Sequence, residues 1–175
     1  YISIGDGCIT SGIYKGFYDL IKLGLSDKMP RIIGVQAAGC NPVEVALKTG
    51  KFVAQSGNTI ADSIAVGIPR NRLKAMRALK ESNGTCISVS DDEIKAAITD
   101  LPRSAGVFGE PAGVTAYAGF KKHSDEKDID INEKVVIIIT GNGLKDIESA
   151  ISVCDIPTPV APDSKTIENH VKTII

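Results

Sequence analysis

A loop with the sequence Gly5-Asp6-Gly7-Cys8-Ile9-Thr10-Ser11-Gly12 joins a strand-like opening segment to a helical pattern, and this junction constrains the fold more than any other stretch. The unpaired amides of a helix's first turn and the positive end of its dipole face such a loop, so the junction favours anions. Because Gly5 and Gly7 lack a Cβ atom, the backbone can approach an anion's oxygens closely. The loop therefore predicts an α/β unit with a phosphate-binding cradle.

The sequence of this loop also limits which ligand it can hold. Gly-Asp-Gly forms ordinary tight turns as well, and this alternative stays open. A nucleotide-binding P-loop is excluded because no Gly-Lys-Ser/Thr follows, and the dinucleotide spacing Gly-x-Gly-x-x-Gly fails at Thr10. A phosphate-bearing ligand smaller than a nucleotide is therefore the first expectation.

Composition excludes several classes of function. A chain of 175 residues, 43% of them hydrophobic, suffices for one core, and a net charge of −1 provides no basic surface for nucleic acid. Four dispersed cysteines and two histidines predict no zinc site and a reducing, cytoplasmic compartment. No apolar run is long enough to predict a membrane span. Because Tyr1 begins inside a strand-like segment without an initiator Met, we expect a fragment.

Strand-like and helical segments alternate, which predicts an α/β fold with an open, mostly parallel sheet flanked by helices. Short apolar runs predict strands at 31–36 and 85–89. Ser90 and Glu93 have the spacing of a capping box. Helical spacing predicts a first helix that ends at Gly24, further helices at 42–47, 70–82, 91–101 and 110–120, and a last helix that begins near Asp163 and Ser164.

A β-branched, apolar run, Lys134 to Ile139, predicts the central strand of a covered parallel sheet. It ends in Thr140-Gly141-Asn142-Gly143-Leu144-Lys145-Asp146, a second glycine-containing loop. Ligands collect at the carboxyl ends of parallel strands, so we expect both loops at one edge of the sheet. Together they predict one site.

Two segments are predicted to carry no chemistry. The charged residues of 121–133 predict a solvated surface linker in which His123 is exposed. Ile156-Pro157-Thr158-Pro159 predicts an irregular stretch before the last helix.

Five stretches, taken in order, resemble the threonine synthase family: Gly5-Asp6-Gly7-Cys8, Gly34-Val35-Gln36-Ala37, Thr59-Ile60-Ala61-Asp62-Ser63-Ile64, Glu110-Pro111-Ala112-Gly113 and Thr140-Gly141-Asn142-Gly143-Leu144-Lys145-Asp146. Each stretch alone is loose, but five in sequence are specific. The family belongs to the fold type II, tryptophan-synthase-β-like enzymes of pyridoxal 5′-phosphate (PLP). The resemblance implies that residues 1–151 are the carboxyl-terminal portion of a PLP-binding catalytic domain, followed by a tail with one helix, 152–175.

The resemblance implies that backbone amides of the first loop hold the cofactor's phosphate. These amides belong to Gly5, Asp6, Gly7, Cys8 and Ile9. The family often has Thr or Asn where Ile9 stands, which adds a side-chain donor. Here Thr10 is displaced by one residue, so the resemblance supports the amide contacts and does not extend to a side-chain contact.

Thr140 resembles the family residue whose hydroxyl meets the pyridine nitrogen of PLP. A neutral hydroxyl cannot keep a proton on that nitrogen as a carboxylate would. The ring is then a moderated electron sink, which favours elimination and replacement over transamination. The alternative is that Thr140 only ends a strand. The family usually has His where Asn142 stands.

Three further residues have two interpretations each. Glu110 opens a segment that lies near the ring in fold type II enzymes, but a carboxylate stabilised by the helix dipole is the alternative. Arg70 and Asn71 resemble the family's Pro-Arg-Asn turn, where either a role on the substrate side or the start of a surface helix fits.

The Schiff-base lysine of the family has no match in this chain. The family carries it in a Phe-Lys-Asp-like motif upstream of the phosphate loop, whereas Phe120-Lys121-Lys122 lies downstream. We therefore expect no catalytic residue here and no activity from this chain alone. The missing amino-terminal portion of the same enzyme is an expected partner.

The resemblance implies an enzyme that, when intact, converts O-phospho-L-homoserine and water to L-threonine and phosphate. A fragment of a cysteate synthase or of a threonine dehydratase is an alternative, although the Gly-Asp-Gly-Cys and Thr-Gly-Asn-Gly segments argue against the dehydratase. A non-catalytic α/β module that binds a phosphorylated ligand is another. Apolar surface exposed by a missing portion predicts self-association into a homo-oligomer.

Overall fold

Three parallel strands form the sheet in the computed structural model, which describes residues 1–126, 129–130, 132–154 and 159–174. The strands are β1 (Ile2–Ser3), β2 (Ile33–Ala37) and β3 (Thr85–Val89), in the spatial order β1-β2-β3. All five residues of β2 are buried, as expected for a strand with both faces covered. The predicted parallel sheet of an α/β fold is confirmed.

Helices connect and cover these strands. Within the described residues the α-helices are α1 (Cys8–Lys22), α2 (Pro42–Thr49), α3 (Arg72–Glu81), α4 (Asp91–Ala105), α5 (Pro111–Glu126), α6 (Ile147–Ser152) and α7 (Ser164–Ile174). Two short 3₁₀ turns in the same residues span Asp62–Ile64 and Gly143–Lys145. The predicted helices are present, with shifted ends. The predicted irregular stretch 156–159 lies outside the described residues except for Pro159.

The start of α4 matches its prediction, and its end does not. The hydroxyl of Ser90 accepts a hydrogen bond from the Glu93 amide at 3.2 Å, and the Glu93 carboxylate accepts one from the Ser90 amide at 2.6 Å. The predicted capping box is therefore confirmed. The helix continues through Pro102, because a proline near the last turn removes only one backbone hydrogen bond.

The core lies on both faces of the sheet. One cluster joins the sheet to α4 and α5 and contains Val35, Val89, Ile94, Ile98 and Val114. The other joins the opposite face to α2 and α3 and contains Ile2, Ile4, Val43, Leu79 and Cys86. Because helices cover both faces of the sheet, a ligand can approach it at the carboxyl ends of the strands.

The prediction of a central strand at Lys134 to Ile139 is wrong. Among the described residues this run forms one parallel bridge, between Ile138 and Ile2, and it lies beside β1 at the edge of the sheet. Since β1 spans only two residues, it offers little backbone for pairing. Val136 is 70% exposed. The β-branched composition indicated an extended segment but carried no information about its position.

The prediction of an exposed His123 in a surface linker is also wrong. Helix α5 extends to Glu126, and His123 is buried with its Nδ1 atom 2.7 Å from the Tyr1 hydroxyl. Neighbouring lysines on α5 pair with α4: Lys121 contacts Asp100 at 2.6 Å. The charges that suggested a linker therefore lie on the outer face of a helix whose inner face holds the histidine.

The first and last helices end and begin as predicted. Gly24 follows α1 with a φ of 71°, which a glycine adopts without strain. Asp163 precedes α7, and its carboxylate accepts a hydrogen bond from the Thr166 amide at 2.9 Å. None of the described helices combines the length and the apolar composition of a membrane span.

Candidate functional site

The first glycine-containing loop places an open helix end at the carboxyl edge of the sheet. Gly7 is the N-cap of α1 with a φ of 89°, and a Cβ atom there would lie 2.7 Å from the Cβ atom of Ala75. No side chain among the described residues caps α1, and its first turn contains no acidic residue. The first-turn amides of Cys8, Ile9 and Thr10 are therefore available to an anion.

The start of α3 fixes the position of this loop. The Asn71 amide donates to the Asp6 carbonyl at 3.1 Å, and the Arg70 amide donates to the Asp6 carboxylate at 3.0 Å. The Asn71 side-chain amide donates to the Gly7 carbonyl at 3.3 Å. Both Arg70 and Asn71 thus support the loop through these hydrogen bonds. The carboxylate of Asp6 is occupied by a backbone partner.

The chain passes close to position 5, where a glycine leaves the most room. A Cβ atom on Gly5 would lie 3.1 Å from the Ile64 Cα atom and 3.3 Å from the Ser63 carbonyl oxygen. The loop therefore rests directly on the 3₁₀ turn Asp62–Ile64. This turn belongs to the Thr-Ile-Ala-Asp-Ser-Ile stretch of the sequence.

Thr10 lies inside the protein rather than at the open end of the helix. Its side chain is fully buried, and its hydroxyl has no hydrogen-bond partner among the described residues. The neighbouring Cys8 and Ile9 are exposed, Ile9 by 51%. This placement fits an anion site built from backbone amides, without a side-chain donor at position 10.

The bridge between Ile2 and Ile138 sets where Thr140 lies. The two segments run parallel, and Ile4 and Thr140 each lie two residues after the bridge. They therefore lie at the ends of neighbouring segments. Adjacent strands are about 4.8 Å apart, so both loops leave the sheet at the same edge. Thr140 is exposed at that edge.

The second loop is held against the beginning of α5. The Glu110 amide donates to the Gly141 carbonyl at 3.0 Å, and the Gly143 amide donates to the Phe108 carbonyl at 3.0 Å. A Cβ atom on Gly141 would lie 1.9 Å from Oε1 of Glu110. The Glu110 carboxylate thus packs on the residue that follows Thr140.

Lys145 is a residue of this site that sequence analysis missed. Its Nζ atom lies 3.1 Å from both carboxylate oxygens of Glu110. The Glu110 side chain is 8% exposed and the Lys145 side chain 61%. The pair joins residues 35 positions apart. In the sequence, Glu110 and Lys145 belong to two separate motifs, and their spacing does not indicate that they form an ion pair.

Two side chains of the second loop have structural partners. The Asn142 side-chain oxygen accepts a hydrogen bond from the Leu144 amide at 2.9 Å, so Asn142 caps the 3₁₀ turn. The Asp146 carboxylate accepts one from the Ser149 amide at 3.0 Å at the start of α6. Hydrogen bonding from the Ser149 side chain, together with this bond from its amide, lowers the pKa of Asp146. Asn142 thus has a local role where the family resemblance leads one to expect a histidine.

An open cavity of about 710 Å³ lies between the two 3₁₀ turns. Of the predicted contact residues, only Glu110 lines it. The first loop contacts its wall indirectly, since Ser63 both lines the cavity and lies against Gly5. The remaining lining residues are Ile60, Asp62, Leu144, Lys145, Asp146, Ile147, Glu148 and Ser149.

Comparisons with known proteins give a consistent result. The family model described as "Pyridoxal-phosphate dependent enzyme" matches residues 1–141. The threonine synthase of Methanosarcina acetivorans is 40% identical over 162 residues, which are 91% of this chain and 40% of that protein. The threonine synthase of Methanocaldococcus jannaschii is 36% identical over 99% of this chain and 44% of that protein.

A solved structure adds evidence for the fold. The threonine synthase of Escherichia coli superposes with a TM-score of 0.64 at 16% identity, over 99% of this chain and 44% of that one. At this identity the likeness concerns the fold alone. The chain spans less than half the length of each of these three relatives.

Proposed function

Because the chain belongs to the pyridoxal-phosphate dependent enzyme family, whose cofactor is PLP, we propose that it supplies the phosphate and ring-nitrogen contacts of a threonine synthase. The observation that carries this proposal is the uncapped, glycine-started end of α1 at the sheet edge it shares with Thr140. The curated relatives named threonine synthase favour this member of the family over its sisters.

The phosphate end of the proposed site fits an anion of this size. Cys8 and Ile9 are exposed residues in the first turn of α1, where unpaired amides and the helix dipole favour negative charge. Gly5, Asp6 and Gly7 hold the backbone of the cradle in place through their contacts with α3 and the Asp62–Ile64 turn. A side chain at Gly7 would displace this backbone, since its φ is 89°.

The ring end of the proposed site is Thr140 with Glu110 behind it. The Thr140 hydroxyl would donate a hydrogen bond to an unprotonated ring nitrogen. PLP, when bound, supplies an electron sink next to the reacting carbon. A neutral hydroxyl at the nitrogen moderates that sink, which suits elimination and replacement.

The proposed reaction converts O-phospho-L-homoserine and water to L-threonine and phosphate. We propose that this chain binds PLP but does not turn over substrate alone, because no lysine here matches the family's motif upstream of the phosphate loop. The lysine that holds the cofactor covalently would come from residues outside this chain.

Titration of PLP into the chain, followed by the cofactor's fluorescence, tests this proposal. We expect saturable, reversible binding, and we expect Gly7→Ala to weaken it at least tenfold by displacing the backbone of the cradle. Gly12→Ala in the same helix is the matched control, because a Cβ atom there meets nothing within 4 Å. Equal affinity of the two variants for PLP would refute the phosphate site.

A further inference from the structure

A buried carboxylate at the ring end of the site depends on one exposed lysine. The Glu110 side chain is 8% exposed, and the Lys145 ammonium lies 3.1 Å from both of its oxygens. A buried charge is costly unless it is paired. The pair also lines the 710 Å³ cavity.

The position of this carboxylate is coupled to the loop that carries Thr140. A Cβ atom on Gly141 would lie 1.9 Å from Oε1 of Glu110, so the carboxylate occupies the space beside the Gly141 backbone. The amide of Glu110 also donates to the Gly141 carbonyl at 3.0 Å. Since Lys145 lies in the same loop, the ion pair joins the loop to the start of α5.

We propose that Lys145 is a positioning residue: through Glu110 it holds the Thr140 loop on α5 and cancels the carboxylate's charge beside the ring nitrogen. This inference rests on the proposed function for the presence of the ring. An unpaired carboxylate near a pyridine nitrogen favours its protonated form. With Lys145 in place the pair is neutral, so the Thr140 hydroxyl faces a nitrogen that remains unprotonated.

The chain contains a matched control for the removal of this lysine. Lys48 pairs with Glu44 at 2.6 Å, and their side chains are 69% and 7% exposed. An exposed lysine thus covers a buried glutamate in both pairs. Glu44 lies on α2 and does not line the cavity. Lys48→Gln therefore reports the general effect of removing an exposed lysine from a buried carboxylate away from the cavity.

The first readout is the ¹⁵N chemical shift of ring-labelled PLP bound to the chain, recorded against pH. We expect Lys145→Gln to raise the pH of half-protonation of the ring nitrogen by about one unit. The double variant Lys145→Gln with Glu110→Gln should restore the original midpoint, and Lys145→Arg should keep it. Lys48→Gln should leave it unchanged. An unchanged midpoint in Lys145→Gln would overturn the proposed charge compensation.

The second readout needs no cofactor and separates this inference from the proposed function. Hydrogen exchange of the Glu110 and Gly143 amides, which donate the two backbone hydrogen bonds between this loop and residues 108–110, should accelerate in the ligand-free chain about tenfold in Lys145→Gln and not in Lys48→Gln. Equal exchange in both variants would refute the anchoring role. If the unaltered chain binds no PLP, the proposed function fails, together with the compensation of charge at the ring. The exchange result then still decides whether Lys145 anchors the loop.

Discussion

Individual residues differ in how far their roles can be predicted from the sequence. Gly7 was found from the sequence because a strand-to-helix junction needs a residue that accepts a positive φ. The Ser90 and Glu93 box was found because its partners are three residues apart. Lys145 could not be found, since its partner is 35 positions away and only the fold brings them together. The role of Thr140 at a ring nitrogen stays a prediction.

Removal of the buried Thr10 hydroxyl is predicted to stabilise the chain. Because this hydroxyl has no partner among the described residues, Thr10→Val should raise the free energy of unfolding of the ligand-free chain by about 1 kcal/mol. Thr115→Val should lower it by about 1 kcal/mol, since the equally buried Thr115 hydroxyl donates to the Pro111 carbonyl at 2.8 Å. Urea denaturation of both variants measures these changes.

Thr10→Val also tests whether the side chain at position 10 takes part in PLP binding. We expect Thr10→Val to bind PLP with unchanged affinity, because a fully buried side chain does not face the open end of α1. A loss of affinity of tenfold or more would mean that the hydroxyl is a ligand of the phosphate.

At the scale of elements, the sequence predicted type and order better than position. The alternation of strands and helices follows from periodicity, which is local. Placing Lys134 to Ile139 at the centre of the sheet was wrong, because the position of a strand depends on its neighbours. The length of α5 was missed because Lys121 and Lys122 suggested a solvated linker, whereas their partners are on α4.

The buried Glu44 carboxylate on α2 predicts that the free energy of unfolding depends on pH. Burial opposes ionisation of Glu44, but hydrogen bonds from Lys48, Ser88 and Asn41 outweigh it and lower the pKa of Glu44. The lowered pKa contributes stability that is present above the unfolded value of about 4.3 and is lost as the pH falls through the folded pKa.

Glu44→Gln isolates this contribution. We expect the variant to be less stable than the unaltered chain at pH 7 and to lose less stability between pH 5 and pH 3, within the window set by the unfolded value of about 4.3. Urea denaturation at both ends of the window measures the difference. If both proteins lost the same free energy of unfolding between pH 5 and pH 3, Glu44 would not be the source of the pH dependence.

At the scale of the whole molecule, the fold leaves large apolar side chains on the surface. Each of the following is at least half exposed: Leu23, Leu25, Val136, Leu144 and Ile151. The chain also spans less than half of the length of the threonine synthases it matches. Exposed apolar surface of this kind favours association.

Self-association is therefore expected for the isolated chain. Sedimentation over a hundredfold range of concentration should show a mass that rises above 18.4 kDa. Replacing Leu23 and Leu25 by Glu should reduce this association, because both side chains are more than 70% exposed on the surface after α1. A clean monomer at every concentration would contradict the expectation.

The central claim is that the open end of α1 and Thr140 hold opposite ends of one PLP molecule. A crystal structure of the chain with bound PLP tests it most directly. We predict phosphate oxygens about 2.9 Å from the amides of Cys8 and Ile9, and a ring nitrogen within hydrogen-bond distance of the Thr140 hydroxyl. A phosphate bound away from α1, or a ring whose nitrogen does not reach Thr140, would contradict the claim.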